Sequence, residues 1–325
     1  MRALVCREYG PPECHEIVDW DDPAPGDNDI AFDVRAAALN FADILSMAGQ
    51  YQVKAPLPFI AGNEAAGVVT AVGHNVTRFK PGDRIIGALR GGGFAEKSTV
   101  PEAAALAVPA ELGFEQAAAY SVAYGTGYHA LKQNARLQAG ESVLVLGAAG
   151  GVGYAAVELA RAMGATVIAA ASSKEKLDFA SEAGANAFID YTSQPLKDTV
   201  RELTEGRGVD VVYDPVGGEL AEQALRGLAW HGRFVVVGFA GGTIQKFPAN
   251  LALLKEASIV GTWFGTWAER HPSEMRNNFE ELADMIKAGT IRPRRPTTFS
   301  FDKYAEAFRA ITERRVLGKV ALQMA

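Results

Sequence analysis

Hydrophobic and polar residues alternate in short runs over the first 120 or so positions, and glycine and proline interrupt these runs. Residues 29–34 alternate with a period of two, as a half-buried strand does, and residues 66–72 form another strand-like run. A turn at 81–84 leads into a third run at 85–87. The pattern predicts a mostly antiparallel β domain over residues 1–122.

A different pattern begins near residue 123, where continuous apolar runs alternate with helical segments. Apolar runs without polar alternation are typical of strands that are covered on both faces. Repeated strand–helix–strand units of this kind predict a doubly wound parallel sheet over residues 123–266. The predicted strands are 143–146, 166–170, 209–214, 232–238 and 259–262, and the clearest helices are 154–163 and 174–183.

The pattern changes once more in the last part of the chain. Residues 275–288 have the spacing of an amphipathic helix, and a strand, a helix and a strand are predicted at 297–300, 304–314 and 319–323. We interpret residues 267–325 as a return to the first domain. The predicted fold class is therefore α/β, with one mostly antiparallel β domain and one doubly wound parallel sheet.

Composition and charge exclude several kinds of partner. The 325 residues carry a formal net charge of −6, so no basic excess is present to bind nucleic acid or an acidic membrane. No apolar run approaches the roughly 20 residues of a membrane helix, and the N-terminus lacks the apolar core of a signal peptide. Two cysteines, Cys6 and Cys14, cannot form a disulfide framework. We expect a cytoplasmic protein with a small-molecule partner.

The sharpest motif is a glycine-rich loop between a predicted buried strand and a predicted helix. Residues 147–153 read Gly-Ala-Ala-Gly-Gly-Val-Gly, a variant of G-x-G-x-x-G with alanine at the first glycine position. Backbone N–H groups at a helix N-terminus, together with the helix dipole, bind a pyrophosphate. A tight turn with no ligand is the alternative. The predicted dinucleotide contacts are Ala148, Gly150, Gly151, Val152 and Gly153.

The end of the next predicted strand indicates which dinucleotide binds. An NAD site usually has an acid there for the ribose 2′-hydroxyl, but residues 169–176 read Ala-Ala-Ala-Ser-Ser-Lys-Glu-Lys, with no acid at the tip. Ser172, Ser173, Lys174 and Lys176 can donate to a 2′-phosphate, which predicts NADPH as the cofactor. The alternative is a solvated helix start that carries lysines without a ligand.

Five motifs resemble, in their order along the chain, those of the medium-chain dehydrogenase/reductase superfamily. The chain looks most like the NADPH:quinone oxidoreductase branch. The resemblance implies a GroES-like catalytic domain, a Rossmann domain inserted into it, and a homodimer. The motifs are residues 40–43, 58–69, 148–153, 208–214 and 318–319.

The positions that match the catalytic zinc ligands of the alcohol dehydrogenases are Asn40, Asn63 and Val122. Two amides and an isopropyl group cannot hold zinc, and two cysteines cannot supply the four-cysteine structural site. The five histidines lack ligand spacing, and Glu64 has no partner ligand nearby in sequence. We therefore expect no metal. Asn40 and Asn63 are expected either to hold the site by hydrogen bonds or to contact substrate, and Asp43 joins them as a candidate catalytic residue.

Quinones and α,β-unsaturated carbonyls accept a hydride without a metal when the cofactor is oriented and a donor faces the developing charge. The resemblance supplies candidates for orienting the cofactor. It implies a place for Thr126 beside the nicotinamide and for Tyr191 at the adenosine phosphate, although Tyr191 could equally be a core residue. The remaining cofactor-binding candidates that it implies are Phe239, Ala240, Gly241 and Lys319.

Tyr51 is the best candidate for the donor. It lies in a stretch, residues 40–51, that resembles both quinone reductases and mitochondrial enoyl-thioester reductases, and a phenol can hydrogen-bond a developing enolate. A packing role is the alternative. The predicted function is an NADPH-dependent, zinc-independent quinone reductase. A 2-enoyl reductase for acrylyl-type or enoyl-thioester substrates is the second hypothesis, and a nucleotide-binding protein without turnover is the third.

Overall fold

The computed structural model describes residues 1–324, and the chain divides into two units within them. One unit combines residues 1–122 with the segment from His271 onward, and the other is Ala123–Arg270. The second boundary follows Arg270 rather than residue 266, because the helix before it is held to the second unit by the stacked rings of Trp267 and His129, whose centroids are 4.0 Å apart. No helix among the described residues is long and apolar enough to cross a membrane.

The strands and helices follow one another in both units as the sequence pattern indicates. The strands are β1 (Arg2–Cys6), β2 (Glu16–Asp19), β3 (Asp29–Leu39), β4 (Phe59–Ile60), β5 (Glu64–Val72), β6 (Arg84–Ala88), β7 (Lys97–Pro101), β8 (Ala105–Ala107), β9 (Ser142–Leu146), β10 (Thr166–Ala171), β11 (Ala187–Asp190), β12 (Val209–Asp214), β13 (Leu228–Val236), β14 (Ser258–Gly261), β15 (Thr297–Ser300) and β16 (Val320–Gln323). The helices are α1 (Phe41–Met47), α2 (Phe114–Ala118), α3 (Ser121–His129), α4 (Gly151–Ala162), α5 (Lys174–Ser181), α6 (Leu196–Leu203), α7 (Glu219–Arg226), α8 (Ala249–Lys255), α9 (Phe264–Arg270), α10 (Pro272–Lys287) and α11 (Tyr304–Thr312).

The first unit is built on a seven-stranded sheet in which β15, β16, β3, β5, β6 and β8 are neighbours in that order and β7 also pairs with β3. Its pairings are antiparallel except that of β15 with β16. The core beneath it contains Phe32, Phe94 and Phe308, all fully buried, and the rings of Phe94 and Phe308 meet edge to face. The C-terminal return therefore completes the first domain's sheet.

Strand register brings three distant residues to one end of this sheet. Val320 of β16 pairs with Leu39 of β3, so Lys319 precedes β16 beside the point where Asn40 follows β3. Ala65 of β5 pairs with Ala37 of β3, which brings the start of β5, at Glu64, to the same end. Side chains from both termini of the unit and from its middle can therefore converge here.

The second unit is a six-stranded sheet in the order β11-β10-β9-β12-β13-β14, with every pairing parallel. This is the strand order of a dinucleotide-binding fold, in which ligands bind at the carboxyl ends of the strands. The central strands β9 and β12 are almost completely buried, as their continuous apolar sequences predict. The predicted fold class, a mostly antiparallel β domain plus a doubly wound parallel sheet, is confirmed.

Several predicted element boundaries differ from the structure by a few residues, and two of them bear on the second unit. The helix expected at 154–163 begins at Gly151, because the last glycines of the loop already form its first turn. The strand expected at 232–238 begins at Leu228, and its register with β12 shifts between Val209 and Val211.

Candidate active site

A group of buried polar side chains at the end of the first sheet forms the centre of the first unit's candidate site. We call Asn40, Asp43, Asn63, Glu64 and Lys319 the polar cluster. Glu64 is fully buried, and its Oε1 accepts hydrogen bonds from Lys319 Nζ at 2.6 Å and from Asn40 Nδ2 at 3.0 Å. Its Oε2 accepts from the hydroxyl of Ser121 and the backbone N–H of Val122, both at 2.8 Å. The carboxylate therefore joins three segments of the chain.

The ammonium group of Lys319 is directed at three oxygen atoms. Besides Glu64, Nζ donates to Asn40 Oδ1 at 2.6 Å and to the backbone oxygen of Leu39 at 3.0 Å. An ammonium has three hydrogens, so these acceptors match its capacity. The structure thus places Lys319, a candidate cofactor ligand, inside the polar cluster, and its contact with a cofactor stays a prediction.

Asp43 lies at the other side of the polar cluster, in the first turn of α1. Its side chain accepts from the backbone N–H of Asn40 at 2.7 Å, which caps the helix, and from Asn63 Nδ2 at 2.6 Å. Burial raises the pKa of Asp43 to about 7, against the Asn40 hydrogen bond and the charge of Lys319, which lower it. The nearby carboxylate of Glu64 raises it further. This carboxyl can therefore take up a proton near neutral pH.

The glycine-rich loop lies in the second unit, between β9 and α4. Gly147 has a φ of +58°, and the backbone N–H of Ala148 donates to the oxygen of Ala170 at 3.1 Å. A Cβ on Gly153 would lie 2.2 Å from the oxygen of Gly147, so only glycine fits there. The loop thus packs tightly against α4 and leaves the helix N-terminus without side chains from Gly151 or Gly153. This cradle fits a dinucleotide pyrophosphate.

The other cofactor candidates of the second unit follow neighbouring strands of the same sheet. The backbone N–H groups of Ala240 and Gly241 donate to the oxygens of Pro215 and Val216, which ties the segment after β13 to the segment after β12. Phe239 precedes them and is half-buried. All lie at the carboxyl edge of the parallel sheet, on the same edge as the glycine-rich loop.

The candidates for the 2′-phosphate follow β10 and begin α5. Ser173 caps the helix by accepting from the backbone N–H of Lys176, while Lys176 Nζ donates to the hydroxyl of Ser172 at 2.9 Å. Lys174 is 85% exposed and pairs with Asp178 at 2.7 Å. The N–H of Tyr191 donates to the oxygen of Ala171, so the segment after β11 lies beside this group. The structure brings the serines, Lys176 and the Tyr191 backbone together, and it directs Lys174 toward Asp178.

Tyr51 and Thr126 lie in different units. Tyr51 is half-buried just after α1, where its backbone N–H donates to the oxygen of Leu45 at 3.1 Å. Thr126 is 9% exposed in the middle of α3. The role predicted for each of them stays a prediction.

Comparison with known proteins gives matches over almost the whole chain. A family model described as "Alcohol dehydrogenase GroES-like domain" matches residues 26–110, and one described as "Zinc-binding dehydrogenase" matches residues 151–288. The chain is 41% identical over 323 residues to a quinone oxidoreductase-like protein 2 homolog of Nematostella vectensis, covering 99% of this chain and 88% of that protein. The chain belongs to the medium-chain dehydrogenase/reductase superfamily, in its quinone oxidoreductase branch.

Solved structures of this superfamily have the same fold. Escherichia coli quinone oxidoreductase complexed with NADPH superimposes with a TM-score of 0.93 at 28% identity, covering 99% of this chain and 100% of that one. CurK enoyl reductase gives a TM-score of 0.91 at 28% identity, covering 100% and 99%. The quinone oxidoreductase resemblance inferred from the motifs is confirmed.

The zinc implied by part of the superfamily does not fit the residues of this member. Asn40 and Asn63 present amides that are already bonded within the polar cluster, and Val122 contributes only its N–H to Glu64. No group of three or more His, Cys, Asp or Glu side chains within residues 1–324 is arranged to hold a metal. Zinc prefers thiolate, imidazole and carboxylate ligands. The side chains at these positions therefore do not form a set of zinc ligands.

Sequence reasoning missed the ion pair that organises the polar cluster. Glu64 and Lys319 are 255 positions apart, and no local pattern connects them. It also gave no role to Asp214, which is fully buried and accepts from the N–H groups of Val216 and Gly217. Burial raises the pKa of Asp214. The sequence pattern that could have predicted this role is an acid at the end of a buried strand, followed by Pro-Val-Gly-Gly. Such an acid can accept hydrogen bonds from the backbone of the loop that follows it.

Proposed function

We propose that this member of the quinone oxidoreductase branch is an NADPH-dependent reductase that delivers a hydride to a quinone or a similar activated carbonyl compound without zinc. The observation that carries the proposal is the carboxyl edge of the second unit. There the helix start at Gly151 and Gly153 has no side chains, and the end of β10 is followed by serine and lysine donors with no acid at the strand tip. The similarity to the NADPH complex of the Escherichia coli enzyme supports the same cofactor.

The residues that would hold NADPH divide by the part of the molecule they suit. The N–H groups of Gly151, Val152 and Gly153 at the start of α4 suit the pyrophosphate. Ser172 and Lys176 suit the 2′-phosphate, because a charged donor and a hydroxyl already lie within 2.9 Å of each other. When bound, NADPH supplies the hydride. The protein therefore needs to bind and orient the cofactor and the acceptor, and to exclude water from them.

The first unit contributes the proposed hydrogen-bond donor to the acceptor. Reduction of a quinone to a hydroquinone takes up one hydride and one proton, so the acceptor oxygens need hydrogen-bond donors. Tyr51 is the proposed donor, and the polar cluster holds Asn40 and Asn63 in fixed orientations through Glu64, Lys319 and Asp43. A preorganised donor stabilises charge that develops on the acceptor oxygen.

A 2-enoyl reductase is the second candidate function. The observation that favours it is the similarity to CurK enoyl reductase, together with the placement of Tyr51 directly after α1. An enoyl acceptor requires a proton at its α-carbon after hydride addition to its β-carbon, so a proton donor matters more for it than for a strongly oxidising quinone.

A steady-state screen distinguishes these functions. NADPH oxidation is measured with a panel of quinones and with enoyl thioesters, and each acceptor is also tested with NADH. We expect the highest kcat/KM for a quinone with NADPH. Faster turnover of an enoyl thioester would favour the second function, and no oxidation with any acceptor would favour a nucleotide-binding protein without turnover.

Substitution of Tyr51 tests the proposed donor. Tyr51→Phe keeps the ring and removes the hydroxyl, and loss of one such donor costs about 2.7–4 kcal/mol, roughly 100- to 1,000-fold in kcat. The loss should be smaller for strongly oxidising quinones than for enoyl substrates. NADPH affinity, measured by fluorescence titration, should not change. Unchanged kcat on both acceptor classes would leave Tyr51 as a packing residue.

A homodimer is proposed as the assembly. In the second unit β14 is the last strand of the sheet, so one backbone edge has no neighbour within the described chain. Large apolar side chains near it in sequence are solvent-exposed, with Leu253 74%, Leu254 64% and Trp263 49% exposed. The unpaired backbone groups of such an edge strand can pair with the same strand of a second copy. Sedimentation of wild type and Leu254→Glu tests this, with dissociation of the variant expected and a monomeric wild type contradicting it.

A further inference from the structure

Helices α3 and α4 contact each other at Gly127 of α3. A Cβ on Gly127 of α3 would lie 2.9 Å from Leu159 Cδ1 and 3.8 Å from Ala156 Cα, both of α4. A side chain at Gly127 would therefore displace the end of the Leu159 side chain and would touch the backbone of α4 at Ala156. Small residues at such a crossing let two helix backbones approach one another, so α3 and α4 form one packed pair.

A buried hydrogen bond lies next to this contact. Tyr124 precedes Gly127 by three residues on α3, which places both on the same face of the helix. Its hydroxyl donates to Glu158 Oε2 of α4 at 2.5 Å, and the side chains are in residues only 4% and 9% exposed. Short hydrogen bonds to a carboxylate are among the stronger ones in proteins. The bond fixes the position of α3 along and around α4.

The two helices carry different parts of the candidate cofactor site. The N-terminus of α4 begins at Gly151, in the glycine-rich loop, and α3 carries Thr126 between Tyr124 and Gly127. A change in the packing of α3 on α4 would therefore move Thr126 relative to the loop that holds the pyrophosphate.

We propose that Tyr124 and Glu158 are positioning residues for hydride transfer, which set Thr126 relative to the bound dinucleotide; this inference rests on the proposed function. Neither side chain belongs to the loop, so the contacts that hold the pyrophosphate do not depend on the bond. The expected effect is thus on the rate of the hydride step at saturating NADPH and not on NADPH affinity. A displacement of even 1 Å at a reacting centre can cost up to about 100-fold in rate.

The test compares conservative variants of the two bonded side chains with a matched control. Tyr124→Phe removes the donor and keeps the ring, and Glu158→Gln replaces the charge but keeps an oxygen that can accept. Tyr213→Phe is the matched control, because Tyr213 is a fully buried tyrosine of the same unit whose hydroxyl has no hydrogen-bond partner within the described structure. Each protein is assayed by stopped-flow single turnover with a quinone and NADPH, by NADPH titration and by thermal unfolding.

We expect Tyr124→Phe to slow the single-turnover hydride step about 10-fold with NADPH affinity within about twofold, while Glu158→Gln stays within about threefold of wild type. Tyr213→Phe should match wild type in both measurements. A Tyr124→Phe hydride rate equal to that of wild type overturns the proposal. An equally slow hydride rate for Tyr213→Phe also overturns it, and so does a Tyr124→Phe variant that loses NADPH affinity but keeps the wild-type hydride rate. If Tyr124→Phe does not fold, Glu158→Leu, which removes the acceptor, takes its place. A hydride rate about 10-fold below wild type with unchanged NADPH affinity then supports the proposal, and a wild-type rate overturns it. A wild type that transfers no hydride to any acceptor contradicts the proposed function, and this role falls with it.

Discussion

The polar cluster of the first unit and the glycine-rich loop of the second are built in opposite ways. The loop is one continuous segment, residues 147–153, and it presents backbone N–H groups at a helix start. The polar cluster draws side chains from β3, α1, β5 and the C-terminal return, and its centre is the ion pair of Glu64 and Lys319. Substitutions in the loop should weaken ligand binding, whereas substitutions in the polar cluster should first lower the free energy of unfolding.

The largest expected effect is on stability. Lys319→Met leaves Glu64, which is fully buried, without its counter-charge, and breaking a buried pair in this way costs about 3–5 kcal/mol in the free energy of unfolding. Lys174→Met is the matched control, because its pair with Asp178 is largely exposed and should change stability little. Urea unfolding measures both. Equal stability of the two variants would contradict the central place given to the ion pair of Glu64 and Lys319 in the polar cluster.

The next effect is on cofactor binding. Gly153→Ala places a methyl group 2.2 Å from the oxygen of Gly147, so the loop must shift at the pyrophosphate. Loss of a hydrogen bond to a charged group costs about 1.5–3 kcal/mol, so we expect NADPH affinity to fall by up to roughly 100-fold. Gly265→Ala is the control, because a Cβ there meets no atom within 4 Å. Fluorescence titration that gives wild-type affinity for Gly153→Ala would contradict the assigned role of the loop.

A smaller and more selective effect is expected at the 2′-phosphate. Lys176→Ala removes a donor that already contacts Ser172, and loss of one charge-assisted contact costs about 1.5–3 kcal/mol, roughly 10- to 100-fold in kcat/KM for NADPH. NADH lacks the phosphate, so its kcat/KM should hardly change. An equal loss of kcat/KM for both cofactors would mean that Lys176 stabilises the start of α5 and does not bind the 2′-phosphate.

A pH dependence of stability is also expected from Asp43. Because burial raises its pKa to about 7 in the folded protein, the folded state binds this proton more tightly than the unfolded state does. Its contribution to stability is therefore full at low pH and is lost as the pH rises toward and through 7, by at most about 1.4 kcal/mol per pH unit. Asp43→Asn mimics the protonated carboxyl and should flatten this part of the curve.

The measurement is urea unfolding of wild type and Asp43→Asn at pH 5, 6 and 8. Glu64 and Lys319 are the charged groups that act on Asp43, and both remain in the variant, so the difference between the curves isolates one titration. Parallel curves would show that Asp43 stays ionised throughout, held by the hydrogen bonds from Asn40 and Asn63.

The contrast also explains which features the sequence could predict. The loop was predictable because its glycines, the buried strand before it and the helix after it are adjacent in the chain, so short-range spacing encodes the geometry. Strand patterns likewise predicted most elements of both sheets. Long-range pairing has no such local signature: the register of β16 on β3 brings Lys319 to Asn40 and Glu64, and only the folded sheet shows it. The Tyr124–Glu158 bond was missed for the same reason, since it depends on how α3 packs on α4.

The central claim is a metal-free hydride transfer from NADPH to a quinone, and one measurement tests it most directly. The purified protein is dialysed against a zinc chelator, its metal content is determined by elemental analysis, and NADPH oxidation is then followed with a quinone. We predict undiminished activity, one NADPH consumed per quinone reduced, and no stoichiometric zinc, because amides at Asn40 and Asn63 and the side chain of Val122 stand where zinc ligands would be needed. A tightly held zinc in each chain, with activity lost on its removal and restored by its return, would contradict the account.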